Sequence, residues 1–167
     1  MNICYSGGAK GADTIFGEQA TKAGHKVVHY RPKDVKDPEI KKLADQQLIL
    51  ANKFLKRTYP TDKESVNDLL RRNYLQIQRV CTVYAITPLD ENMIPYGGTA
   101  WAITMAMNRK VCDIYVFDLV KGFWFSYNGL TWNKMYEPPP KPVGEYAGIG
   151  SRELPENGVQ AIANLYL

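Results

Sequence analysis

The chain has 167 residues, 45% of them hydrophobic and 23% charged, with a formal net charge of +4. That composition excludes disordered and fibrous classes, and the length suits one domain, residues 1–167, burying about two-thirds of its unfolded surface. No apolar run reaches the roughly 18 residues a bilayer span needs, and no basic-then-hydrophobic leader opens the chain, so a cytoplasmic protein with no membrane partner is expected.

Cys4, Cys81 and Cys112 are odd in number and widely spaced, in apolar strand-like or helix-end settings. They read as reduced, buried thiols, with no disulfide and no metal to hold. Lys and Arg are dispersed instead of gathered in a block, which fits a small anionic ligand better than a long nucleic-acid track.

In chain order, "NICYS" (2–6) predicts a strand, the turn "GGAKGAD" follows, and a helix runs to Ala23 with Gly24 as its stop. "HKVVHY" (25–30) predicts a second strand, broken by Pro32. Helical spacing then puts Leu43, Ala44, Gln47, Leu48, Ala51 and Leu55 on one face of a helix that Pro60 ends. A second helix carries Val66, Leu69, Leu70, Asn73, Ile77 and Val80. "TVYAIT" (82–87) predicts a buried strand, Thr99 to about Arg109 an Ala- and Met-rich helix, and "VCDIYVFDL" (111–119) another strand. "FWFSY-NG-LTWNKM" predicts a β-hairpin with Asn128-Gly129 as a two-residue type I′ turn. "EPPPKP" (137–142) predicts a semi-rigid linker. A strand, "YAGIG" (146–150), and a helix from near Pro155 carrying Val159, Ile162 and Ala163 close the chain. Strands alternating with helices predict an α/β fold with a mainly parallel sheet covered on both faces, whose ligand sits at the carboxyl ends of the strands.

Three Gly-containing turns fall at such ends. The first, residues 6–13, offers Ser6, Gly7, Gly8, Ala9, Lys10, Gly11 and Asp13. Glycines let backbone approach a ligand, and the free N–H groups of the helix start attract phosphate. The Gly-Lys-Ser/Thr ending of a Walker A loop is missing and the spacing is not the dinucleotide fingerprint. A carboxylate here repels phosphate, so Asp13 suits ribose hydroxyls or a base amine, or else it is a helix-dipole partner. The second turn gives Gly97, Gly98 and the hydroxyl of Thr99. The third gives Gly148, Gly150, Ser151 as a small donor, and Arg152, a planar cation for phosphate oxygens.

"YAGIGSRELP", "YSGGAKGADTIF", "RRNYLQIQRV" and "YGGTAWAITMAMNRKV" together resemble the SLOG superfamily of Rossmann-like proteins, and most nearly its small DNA-processing-protein-A-like members common in phage genomes. The resemblance implies a Rossmann-like three-layer α/β/α fold. In those relatives the Gly-Ser-Arg strand and helix come first; here residues 145–167 come last. The chain therefore resembles a circular permutant, and Leu167 is expected near Met1, with the "YAGIG" strand between "NICYS" and "TVYAIT". On Asn73 and Gln76, which fall in the third of these motifs, a structural polar bridge from Asn73 to a loop is the expected role, against ligand contact.

The Lonely Guy hydrolases of the same superfamily cleave with a Glu after their Gly-Gly-x-Gly-Thr, whereas here no carboxylate occurs between Gly97 and Arg109. The carboxylates left for acid–base work are Asp13, Asp90, Glu91 and Glu153, and neither His25 nor His29 pairs with a nucleophile. The expectation is a binder of a phosphorylated, ribose-containing nucleotide, needing no cofactor. By analogy with superfamily members that sense NAD-derived or nucleotide second messengers, it sequesters or senses such a signal, as a phage anti-defence protein in the host cytoplasm would. Two alternatives stand beside it. One is a nucleotide N-glycosidase of the Lonely Guy type. The other is a single-strand DNA binder stacking bases on Trp124, Phe125, Tyr127 and Trp132, aromatics better suited to closing a sheet edge or a subunit contact. Relatives commonly form dimers or higher assemblies, so a homo-oligomer is expected, with the helices between residues 39 and 80 and the aromatic hairpin as apolar surface.

Overall fold

The computed structural model describes residues 1–111 and 113–167, so Cys112 lies outside the described residues. Strands β1 (Ile3–Gly7), β2 (Lys26–Tyr30), β3 (Thr82–Thr87), β4 (Asp113–Asp118), β5 (Phe123–Tyr127), β6 (Trp132–Lys134) and β7 (Glu145–Gly150) form one sheet in the order β2-β1-β7-β3-β4-β5-β6. The first five in that order run parallel, and β5 and β6 fold back antiparallel. Helices α1 (Ala12–Lys22), α2 (Pro38–Leu55), α3 (Glu64–Ile77), α4 (Thr99–Asn108) and α5 (Glu156–Leu165) complete a Rossmann-like three-layer α/β/α architecture. The strand expected at the centre is there: β7 pairs with β1 through Cys4↔Tyr146 and with β3 through Val83↔Ala147.

Period-two alternation divides the core between the two faces. Tyr5, Val83, Ala85, Ile114, Val116, Ala147 and Ile149 face a cluster closed by α2, α3 and α4, in which Ala44, Leu48, Ile77, Trp101 and Met105 are buried. Cys4, Tyr84, Ile86, Phe117 and Tyr146 face the opposite cluster, closed by Phe16 of α1 and Ile162 of α5. Residues Ala100 to Ala106 of α4 are all buried, as in a helix packed on every side. Arg71 is buried in α3 and clamps α2 to it: its Nε donates to Asp45 at 2.7 Å, and its NH1 donates to Asp68 at 2.8 Å and to Glu64.

Four local expectations need correction. Leu43 is 44% exposed, on the far side of α2 from the core. That helix stops at Leu55, not Pro60, because Lys56 turns left-handed and its N–H closes on Asn52. The hairpin has a four-residue loop, 128–131, since Tyr127 pairs with Trp132; the Asn128 side-chain oxygen accepts from the N–H groups of Leu130 and Thr131 and so holds a wider turn. Cys4 is buried as expected, and burial pushes its thiol up to about 12, whereas Cys81 stands exposed in the turn after α3.

The beginnings of β1 and β7 share one edge with the end of α5. Asn2 lies 3.3 Å from His25, whose Nδ1 is 2.8 Å from the Tyr146 hydroxyl, which lies 2.7 Å from that of Tyr166. Residues 2 and 166 thus sit at the ends of one polar chain. The "EPPPKP" segment has no regular structure and is tied down by the Tyr84 hydroxyl, which donates to the Pro140 carbonyl at 2.7 Å. Among the described residues no helix is long and apolar enough to cross a membrane.

Candidate functional site

All three Gly-containing turns lie at the carboxyl edge of the parallel strands. The first and third are locked together: Gly11 adopts φ 90°, and a Cβ there would collide with the Arg152 carbonyl oxygen and stand 2.5 Å from that of Ser151. The Ala12 N–H donates to Ser151 O at 3.0 Å, and the Ser151 N–H donates to Ile86 O at 2.8 Å. Backbone is thus in contact with backbone, which only glycine permits.

The second turn ends a loop, residues 88–98, that is held from several sides. The Asp90 carboxylate accepts from the N–H groups of Asn92 and Ile94, and the buried Asp118 carboxylate accepts from the Leu89 N–H at 3.2 Å. Arg57, just past α2, donates to Gly97 O at 2.7 Å and to Pro95 O at 3.1 Å. Asp90 therefore belongs to the loop's own architecture.

Between these turns and one face of α3 opens a cleft of about 480 Å³. Ala9 and Asp13 line it from the first turn, Gly97, Gly98 and Thr99 from the second, and Gly150, Ser151, Arg152 and Glu153 from the third; Leu69, Leu70, Arg72, Asn73 and Gln76 come from α3. The volume suits a small organic ligand. At one wall is the first turn of α4, where the Ala100 and Trp101 N–H groups donate to Gly97 O and Gly98 O at 3.4 and 3.1 Å, and where the positive end of the helix dipole favours an anion.

The charges inside are unevenly solvated. Asp13 is 5% exposed, and burial pushes its carboxyl up to about 6, against the opposing pull of Arg72, the Ala9 backbone and Ser6. Burial lowers the Arg72 guanidinium as well; the nearby Asp13 charge pulls it back up and the Arg152 charge adds to the lowering. Arg72 and Arg152 thus bring two like charges close together at the cleft, an arrangement that an incoming anion relieves. With its amide oxygen turned toward them, Gln76 accepts from Arg72 Nε at 3.2 Å and from the Gly7 N–H at 3.2 Å. Asn73 is 7% exposed and its amide has no hydrogen-bond partner among the described residues, though it borders the cleft. The loop bridge expected of it is not made; its amide opens on the cleft, where a ligand or water can supply the partner.

Several residues expected at the ligand turn out to hold the turns. Ser6 is buried and its hydroxyl donates to Gly148 O at 2.5 Å. Gly7 backs the cleft floor, where a Cβ would meet Arg72 and Asp13 at 2.5 Å; Gly148 makes room for the Phe16 ring. Gly8 lines a separate groove with His29 and Arg31, and Lys10 points to solvent. Ser151 lines the cleft, but its hydroxyl already donates to Glu153 O at 2.5 Å, so it is an acceptor there instead of the donor expected. Sequence reasoning missed Arg72, Leu69, Leu70 and the exposed Tyr96 at the cleft mouth. Arg72 was within reach: it directly precedes Asn73 on a stripe otherwise apolar. No protein-family model, curated protein or solved structure matches the chain.

Proposed function

We propose that the cleft binds a phosphorylated, ribose-containing nucleotide or nucleotide-derived signal, and that the protein senses or sequesters it. The observation that carries this reading is the meeting of all three turns with Arg72, Arg152 and the start of α4 around one cleft. Phosphate suits Arg152 and the positive end of the α4 dipole, while Asp13 and Asn73 offer an acceptor and an amide to ribose or base. The joint resemblance of four motifs to the SLOG superfamily supports the same reading, and the central β7 and the shared edge of the chain ends fit a circular permutant of it. An anti-defence role in a phage-infected host is the biological form of this proposal.

Calorimetric titration with ribose 5-phosphate, AMP, NAD and ADP-ribose tests it. At least one should bind, and Arg152→Ala should lose about ten- to hundredfold in affinity through one charge-assisted hydrogen bond. Unchanged affinity in that variant refutes the phosphate assignment. Asp13 favours a second reading, N-glycosidic cleavage, because a cleft carboxyl near 6 is poised for acid–base work at neutral pH; free base in the same incubations would turn binding into turnover. Single-strand DNA binding fits less well, since Phe125 is buried and Trp124 packs edge-on to Phe117 at 5.5 Å, closing the sheet.

We also propose that two copies of the chain pair through α2. Leu43, Leu50 and Phe54 stand 44%, 45% and 53% exposed at heptad-like spacing on one face. An antiparallel two-fold pairing brings Glu39 in the first turn of one copy toward Lys53 in the last turn of the other, a self-complementary arrangement. Sedimentation at micromolar concentration should give a dimer that Phe54→Glu dissociates, and a monomeric wild type overturns this.

A further inference from the structure

We propose that the mouth of the cleft is a base subsite: an aromatic base lies on the Tyr96 ring, with Leu69 of α3 as the apolar surface of the facing wall, while the rest of the nucleotide runs inward to Arg72 and Asp13. The proposal rests on the phosphate reading of the cleft and adds to it the residues that tell a nucleotide from a bare sugar phosphate.

The α3 wall of the cleft changes character along its length. Leu69, Asn73 and Gln76 are spaced i, i+4, i+7 and share one face of the helix, over about 10 Å of its axis. Arg72, Asp13 and Gln76 meet around Gly7, where a Cβ would stand 2.5 Å from the first two and 2.8 Å from the third. That end is polar and charged. Leu69 stands at the other end, half-buried and packed against neither core cluster. Tyr96 belongs with it, because Arg57, in the connection that leads from α2 into α3, holds the carbonyls of Pro95 and Gly97 on either side of Tyr96.

The fold makes no use of the Tyr96 ring. It is 58% exposed, and among the described residues its side chain has no hydrogen bond and no aromatic partner, although it lines the cleft. A lone exposed aromatic is ordinary on a protein surface. One that shares the open end of a charged cleft with a second apolar side chain outside the core is a platform for the flat part of a ligand, and a base supplies that part whatever its sequence of donors and acceptors. The backbone beneath is already braced: the Tyr96 N–H donates to Pro88 O at 3.2 Å, and Leu89 pairs with Pro95 across the loop. Only the side chain is left to order on binding.

Calorimetry with AMP and ribose 5-phosphate as probes tests this, since the two differ in the base. Wild type should bind AMP more tightly by about five- to hundredfold, the worth of one base stacked on one aromatic ring. Tyr96→Ala should lose that advantage for AMP and leave ribose 5-phosphate within about twofold of wild type, whereas Tyr96→Phe, which keeps the ring, should hold AMP within about twofold. Unchanged melting temperatures confirm that both variants fold. A wild type that binds AMP no better than ribose 5-phosphate, an AMP affinity that Tyr96→Ala leaves unchanged, or a loss shared equally by both probes overturns the base subsite and leaves the phosphate reading standing. A Phe variant as weak as the Ala variant overturns it too, because the hydroxyl and not the ring would then be the contact. A wild type that takes up neither probe overturns the phosphate reading and this proposal with it.

Discussion

Gly11→Ala should lower the melting temperature by about 10 °C, a large loss for a single methyl group. Two costs add. The residue sits at φ 90°, where a Cβ is strained by roughly 1–2 kcal/mol, and the new methyl would collide with Arg152 O, a backbone atom that cannot swing aside. Overpacking of this kind costs about 1–3 kcal/mol, and for a chain of this length each kcal/mol is worth roughly 2–4 °C. Gly97→Ala is the control, because it shares a positive φ of 69° but has nothing within 4 Å of the added Cβ. It should cost about 1 kcal/mol, and thus only a few degrees. Circular dichroism melts of the two variants decide the matter: equal shifts would mean that the close contact between the first and third turns contributes nothing. Because that contact sets the spacing of Asp13 and Arg152, the Gly11 variant should also lose affinity for phosphate probes under conditions where it remains folded.

The strands were legible because their apolar runs are plain: a Val-Tyr-Ala-Ile run such as 83–86 suits a strand buried on both faces. The central place of β7 was legible only through motif order, since nothing in "YAGIG" itself says which strands flank it. The site divided along similar lines. Glycines announce a turn but not their duty within it, and Gly7, Gly11 and Gly148 turned out to admit Arg72, a carbonyl and Phe16 respectively. Those duties depend on neighbours distant in the chain. Arg72 stayed hidden because a Lys or Arg on a helix is ordinarily a solvated charge, and its burial against Asp13 follows from where α3 crosses β1. The hairpin loop misled for a local reason: Asn-Gly usually marks a two-residue turn, but here the Asn128 side chain bonds forward to two N–H groups and lengthens the loop.

Asp13→Asn should make the folded protein more stable at neutral pH while changing what it binds. The Asp13 carboxyl titrates near 6 when folded, against an ordinary 3.8, with burial as the main cause. The folded state therefore holds a proton through a pH range in which the unfolded chain has released it. Stability falls as pH rises from about 4 to 6, and the full cost of ionising the buried carboxyl, about 3 kcal/mol, is present above 6. Asparagine removes that cost, which is already net of the attraction to Arg72, so the gain at pH 7 should be at most about 3 kcal/mol, seen as a rise of several degrees in melting temperature. At pH 4 the gain should vanish. A variant less stable than wild type at pH 7 would mean that the Asp13 carboxyl does not titrate above its ordinary range and that the pairing with Arg72 outweighs burial after all. Binding then separates the two roles open to the carboxylate. If Asp13 accepts hydrogen bonds from ribose hydroxyls, Asp13→Asn should weaken AMP about tenfold and leave the dideoxy analogue nearly unchanged. If instead it occupies the place of an anion beside Ala9 and Arg72, the variant should bind both nucleotides, and inorganic phosphate, more tightly. Equal losses for the ribo and dideoxy forms would leave Asp13 a helix-start residue with no part in recognition, and the ribose half of the proposed ligand would fall with it.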